Sequence, residues 1–170
     1  MAAYDPAEWS NFAIAQLGAS SVLLGLVFVG VSINLGQIVG SPLLVRRAGE
    51  AILVLGSVLV ASSCVLIPGQ ERGAVAIELA AVAAGMFGLL AYVQRDARAG
   101  VVRRGERGTT RRSFIVRRVV SFGAAGLTAV AAVALGAEVV GGLYWWPPAI
   151  LVAYAGALAN AWVLLVEILR

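Results

Sequence analysis

Five long, almost uncharged apolar runs occupy this chain, and nearly all of its arginines fall on alternate connections between them. The runs, at about 11–39, 43–67, 74–94, 119–135 and 147–169, each approach or exceed the ~20 apolar residues needed to cross a hydrocarbon core about 30 Å thick. The sequence therefore predicts an all-α integral membrane protein of five transmembrane helices, built as a single transmembrane domain over residues 1–170.

The arginines set the expected orientation. Arg46 and Arg47 precede the second run, Arg170 follows the fifth, and the segment 95–118 between the third and fourth holds Arg95, Arg98, Arg103, Arg104, Arg107, Arg111, Arg112, Arg117 and Arg118. Those places share one side. The other side, 1–10, 68–73 and 136–146, has only Arg72, beside Asp5, Glu8, Glu71 and Glu138. By the positive-inside rule the N-terminus is expected outside and the C-terminus in the cytoplasm. No positive region precedes the first run, which is also too long and too dotted with polar residues for a cleaved signal sequence.

Composition removes whole classes of chemistry. There is no histidine, a single cysteine, and every one of the 13 basic residues is arginine. Without lysine no retinal or pyridoxal Schiff base can form, and without histidine there is no Ser–His dyad and no histidine-ligated haem, zinc or copper. Cys64, alone inside the second run, reads as a small packing residue. Asp5 and Asp96 lie outside the apolar runs, so no intramembrane aspartyl dyad is available. The expectation is no enzyme, no metal and no cofactor. Arginine without lysine, among abundant Ala, Gly and Val, is associated with GC-rich bacterial coding, and with it a bacterial inner membrane location.

The stretch 95–112, rich in Arg, Gly and Thr, is expected to lie loosely on anionic lipid headgroups, with 111–118 forming a short interfacial turn into the fourth span. It has no interleaved aromatics, so no nucleic acid partner is expected. Trp9, Tyr144, Trp145 and Trp146 fit an aromatic belt at one boundary, and Tyr92 and Trp162 at the other. Pro147 and Pro148 suit the first turn of the fifth helix.

In lipid, close approach at small residues drives helix association. Ala80, Ala84 and Gly88 form one such stripe in the third span, and Ala153, Ala157 and Ala161 another in the fifth. They imply a homo-oligomer or a second membrane-protein partner, without saying which copy each stripe meets.

The first span is the most suggestive. Gln16 and Asn34, eighteen residues apart, share a meridian at about 100° per residue, with Ser20 and Gln37 beside it and Leu23 and Val27 between. Gly18, Gly25, Ser32 and Gly36 occupy roughly the opposite face. A ring of such helices would line a conduit with amides at both mouths and an apolar waist; alternatively, the polar residues reach interfacial water or bond a neighbouring helix.

Carboxylates inside apolar runs need partners. An Arg46–Glu50 pair at i,i+4 is the expected explanation for Glu50. Glu78 has three expected fates: pairing with Arg72, accepting a bond from the first span, or facing water; it is the candidate ion or proton site. Glu167 can snorkel toward the arginine-rich side.

Gly18-Ala19-Ser20, Gly25, Gly30-Val31-Ser32-Ile33-Asn34-Leu35, Pro68-Gly69-Gln70 and Glu78-Leu79 resemble a family of small bacterial membrane proteins, some labelled modulators of the FtsH protease. The resemblance covers about the first half of the chain and implies that Gln70, Glu78 and Asn34 matter. It brings no activity or ligand with it. The leading functional expectation is a homo-oligomeric ion channel lined by the first span. The alternative is a non-conducting adaptor or regulatory subunit, for example of a membrane protease.

Overall fold

A computed structural model describes the backbone of residues 2–104, 111–139 and 141–166, and the side chains of these residues apart from 95–104, 111–115, 165 and 166. Glu167, Arg170 and most arginine side chains of the segment 95–118 lie outside the described residues. Six helices follow in order: α1 (Ser10–Ile33), α2 (Leu35–Gly40), α3 (Pro42–Val65), α4 (Arg72–Arg104), α5 (Arg111–Ala137) and α6 (Trp146–Val166). Short 3-10 turns cover Ala2–Tyr4, Pro6–Trp9 and Gly142–Trp145, and no strand occurs among the described residues. All but α2 are long and apolar enough to cross a membrane, one for each apolar run.

Helix ends depart from the hydropathy boundaries for local reasons. The first run is two helices, because Asn34 leaves helical geometry at φ −107°, ψ 20°. Its Nδ2 donates to the Gly30 carbonyl at 3.1 Å, which competes with the backbone ladder, and Gly36 and Gly40 weaken the short helix that follows. Ser41 is extended and Pro42 opens α3, where its missing N–H costs nothing. Pro147 and Pro148 take the same place in the first turn of α6. At the other extreme, α4 runs on past the apolar residues to Arg104, and α5 starts already at Arg111. The stretch 95–112, expected to lie loosely on headgroups, is thus helical as far as 104, and the short turn expected at 111–118 is part of α5. Arginine and alanine are good helix formers, and one Gly100 costs only about 1 kcal/mol against alanine.

The architecture is a ring of four with one helix outside it. Each of α3, α4, α5 and α6 packs along two neighbours, while α1 lies against α3 and touches α6 at few points. Half of the apolar window of α3 is buried, against 17% of that of α1, so α3 is the hub. The core between the four is filled by Val54, Leu79, Leu90, Ala125, Leu135 and Trp146 among others. Alanine supplies most of the α5 contribution, which lets its backbone come close to α4 and α6.

One end of the ring is closed by the N-terminus. Trp9 stacks edge-on with Phe12 at 5.7 Å and with Tyr144 at 5.3 Å, and Phe12 meets Trp146 at 5.5 Å. Trp9 Nε1 donates to the Ala2 carbonyl at 2.7 Å. Trp146 is 1% exposed and Trp9 9%, so these two are core residues and not members of an aromatic belt. Tyr144, Tyr92 and Trp162 do lie on the surface. The closure depends on Gly142 at φ +52°, where a Cβ would stand 2.2 Å from the Ala3 carbonyl oxygen.

Candidate functional site

The polar-ended face of the first span points into the chain itself. Ser20 is fully buried and Val27 nearly so, the latter packed with Leu55 of α3 and Ala157 of α6, and Leu23 lies against the same cluster. Ser20 Oγ donates to the Leu17 carbonyl and Asn34 to that of Gly30, so both are satisfied within their own helix. Gln16 is half-buried, and its carbonyl accepts from the Tyr154 hydroxyl at 3.2 Å. Gln37, in α2, is exposed. A conduit along this face would have to run between α1 and the chain's own α3 and α6. What lies there is an open cleft of about 120 Å³ lined by Leu23, Val27, Gly30, Leu55, Ala157 and other apolar residues, with no polar side chain. Inside the ring, a void bordered by Ser57 and Thr128 measures about 10 Å³, close to the minimum for one water. Both hydroxyls are bonded to carbonyls one turn back.

The opposite face of α1 is bare. Gly18, Gly25 and Ser32 are exposed, and a Cβ built on either glycine would meet nothing within 4 Å. The two alanine stripes part company in the same way. Ala153 and Ala157 are 3% and 2% exposed; Ala153 packs within the ring, and Ala157 packs against α3 and α1 with Ala161 beside that cluster. Ala80, Ala84 and Gly88 are all exposed on α4.

The arginine-rich end of the ring carries a buried charge centre. Glu50 of α3 is fully buried and does not pair with Arg46, as its spacing had predicted; its Oε2 lies 3.3 Å from Arg117 Nε of α5. Its Oε1 accepts from Ser121 Oγ and, at 3.4 Å, from Gln94 Nε2 of α4. Although Arg46 is one turn away, Glu50 sits on the face of α3 turned to the interior of the ring, where Gln94 of α4 and Arg117 of α5 reach it, and burial favours the arginine that arrives there. The sequence carried a usable signal in depth: Glu50, Gln94 and Arg117 each stand near the same end of neighbouring spans.

At the opposite end Glu78, half-buried, bonds neither Arg72 nor a polar group of the first span. Gln70, from the connection between α3 and α4, donates Nε2 to Glu78 Oε1 at 2.6 Å. Gly69, at φ +73°, turns that connection back over α4 in a conformation glycine adopts without strain. Arg72 instead reaches Glu138 beyond the end of α5, at 2.7 Å and on the surface. Cys64 near the end of α3 lies close enough to Glu78 to interact with it electrostatically. Among the described residues no group of three or more Cys, Asp or Glu side chains is gathered for a metal.

No family model, no curated protein and no solved structure matches the chain, so the resemblance noted in its first half stands on the residues quoted for it alone.

Proposed function

We propose that this chain is a multi-pass protein of the bacterial inner membrane that works by lateral helix association, without conducting ions, and that its first partner is a second copy of itself. One observation carries the reading: the middle of the amide-ended face of α1, at Leu23 and Val27, is covered by α3 and α6, while Gly18, Gly25 and Ser32 remain open to the outside. Small residues on an exposed helix face allow a second backbone to come within van der Waals reach, which is the principal source of affinity between helices in lipid. Membrane insertion is supported by the spread of exposed apolar side chains, including Val22, Leu26, Ile77, Val133 and Leu151, a surface that water would penalise heavily. The arginine asymmetry puts the Glu50–Arg117 end in the cytoplasm and the N-terminus outside. An adaptor or regulatory role toward a membrane protease agrees with the resemblance of the first half.

The test uses the full chain with Cys64 replaced by serine and a new cysteine at Gly25, in native membranes. Copper-catalysed oxidation is expected to give a covalent dimer, whereas a cysteine at Ile52, on the helix that already covers α1, gives none. Liposomes holding wild-type protein or Val27→Asn are expected to be silent to sodium, potassium and chloride. Ion flux through wild type that rises in Val27→Asn would defeat the reading in favour of a conduit.

A further inference from the structure

Glu78 carries a carboxylate near the end of the ring closed by the N-terminus, and two oxygen atoms there have no strong donor. Gln70 Nε2 satisfies Glu78 Oε1. The other carboxylate oxygen, Oε2, and the other atom of the amide, Gln70 Oε1, are both buried, and neither has a hydrogen-bond partner. The amide oxygen only accepts, and the carboxylate oxygen only accepts while Glu78 is ionised, so in the charged state neither satisfies the other. The charged and ionisable groups nearby do not resolve this. Arg72 is engaged with Glu138, Glu71 is exposed, and Cys64 of α3 brings a thiol, a weak donor within side-chain hydrogen-bonding reach of the Glu78 carboxylate, and no positive charge. No ion pair involves Glu78 among the described residues.

We infer that Glu78 Oε2 and Gln70 Oε1 bind a monovalent metal cation, of the size and hardness of sodium, between α4 and the 66–71 connection. Buried polar atoms in native proteins are satisfied, and an ion is one of the few ways to satisfy two acceptors at once. Carboxylate and amide oxygens are hard donors, suited to alkali and alkaline-earth ions; the soft Cys64 thiol is a neighbour and not a ligand. Charge decides between the two classes. A single carboxylate in an apolar run is neutralised by one positive charge, whereas a divalent ion would leave a net charge where charge is most costly. The end of α3, at Val65, adds the negative pole of its dipole at the same level. Helix ends at a break in the backbone are where transporters hold sodium. The site does not depend on lateral association and stands or falls separately.

The experiment heats the full chain in mild detergent, in sodium chloride or in choline chloride at equal ionic strength and equal pH, and records the sodium NMR line width on the same samples. Sodium is expected to raise the unfolding midpoint saturably above that in choline, and the sodium resonance to broaden with protein. Glu78→Gln is expected to weaken the apparent affinity about tenfold or more, and Gln70→Leu about tenfold. Should Glu78→Gln fail to fold, Gln70→Leu removes one oxygen while leaving the carboxylate and makes the same comparison. Equal midpoints and line widths in the two salts overturn the inference, as does a sodium effect that survives both substitutions. So does stabilisation by calcium at lower concentration than sodium, or by acid with no sodium dependence.

Discussion

Glu50 and Arg117, 67 positions apart in the chain, meet at 3.3 Å in the interior between α3 and α5. Gln94, on the same carboxylate, is the last residue of α4 before the arginine-rich segment, and Arg117 stands where that segment enters the apolar part of α5. One buried carboxylate thus fixes both ends of the most polar stretch in the protein. It is the only place among the described ion pairs where the charge is withdrawn from solvent, since Arg72 and Glu138 are 41% and 55% exposed.

Removing one partner should therefore be costly. Arg117→Ala leaves the Glu50 charge buried and uncompensated, for which about 3–5 kcal/mol is the expected loss. Glu50→Gln keeps an acceptor for Ser121 and releases Arg117, whose side chain is 15% exposed, and is expected to cost less. Unfolding midpoints in detergent rank the two; equal midpoints for Arg117→Ala and wild type would show that the pair holds nothing together.

Gly142→Ala is expected to detach the N-terminal turns. The added methyl would collide with Ala3 and with the ring of Tyr4, at 2.2 and 2.7 Å, in a backbone conformation already unfavourable to alanine. Protease cleavage before Trp9 should become fast while the ring of four stays folded. Gly25→Ala, which meets nothing within 4 Å, is the control and should leave that cleavage rate unchanged.

How far these features were legible in the sequence depends on their range. Five helices long and apolar enough to span a membrane were readable because hydropathy measures the length of each apolar run directly. Helix ends were not, because Arg95 to Arg104 are polar yet helix-forming, and hydropathy stops where the backbone does not. On α1, Ser20, Val27 and Gly30 are buried on one side while Gln37 is exposed; periodicity groups residues into a stripe but does not say whether it meets its own chain or another. For Glu50 the i,i+4 rule pointed to Arg46, a weak surface interaction that a buried partner outranks. Glu78 was singled out as an unexplained charge; Gln70, eight residues earlier, was out of reach of any periodic rule because the turn at Gly69 brings it back.

Orientation yields a labelling prediction. In a Cys64→Ser background, single cysteines at Glu71 and Val139, both exposed, should react with a membrane-impermeant maleimide in intact cells. A cysteine at Gly105 should react only after permeabilisation. Labelling of Gly105 from outside would reverse the assigned topology.

The two alanine stripes should respond differently to the same change. Ala84 is exposed on α4 and Ala157 is buried where α6 meets α3 and α1, beside Leu55 and Val27. Ala157→Leu must push between Leu55 and Val27 or turn into the apolar cleft they border, and is expected to change the stability of a monomer held in excess detergent by about 1–3 kcal/mol. Ala84→Leu should leave that monomer's unfolding midpoint within about 0.5 kcal/mol of wild type. Its effect should instead appear as a lower oligomer mass on native gels, if the stripe lies at a contact between copies, because a leucine there keeps two backbones apart. A wild type that is strictly monomeric both in mild detergent and in lipid would remove the second copy from the proposal and leave the exposed faces of α1 and α4 to a different membrane protein.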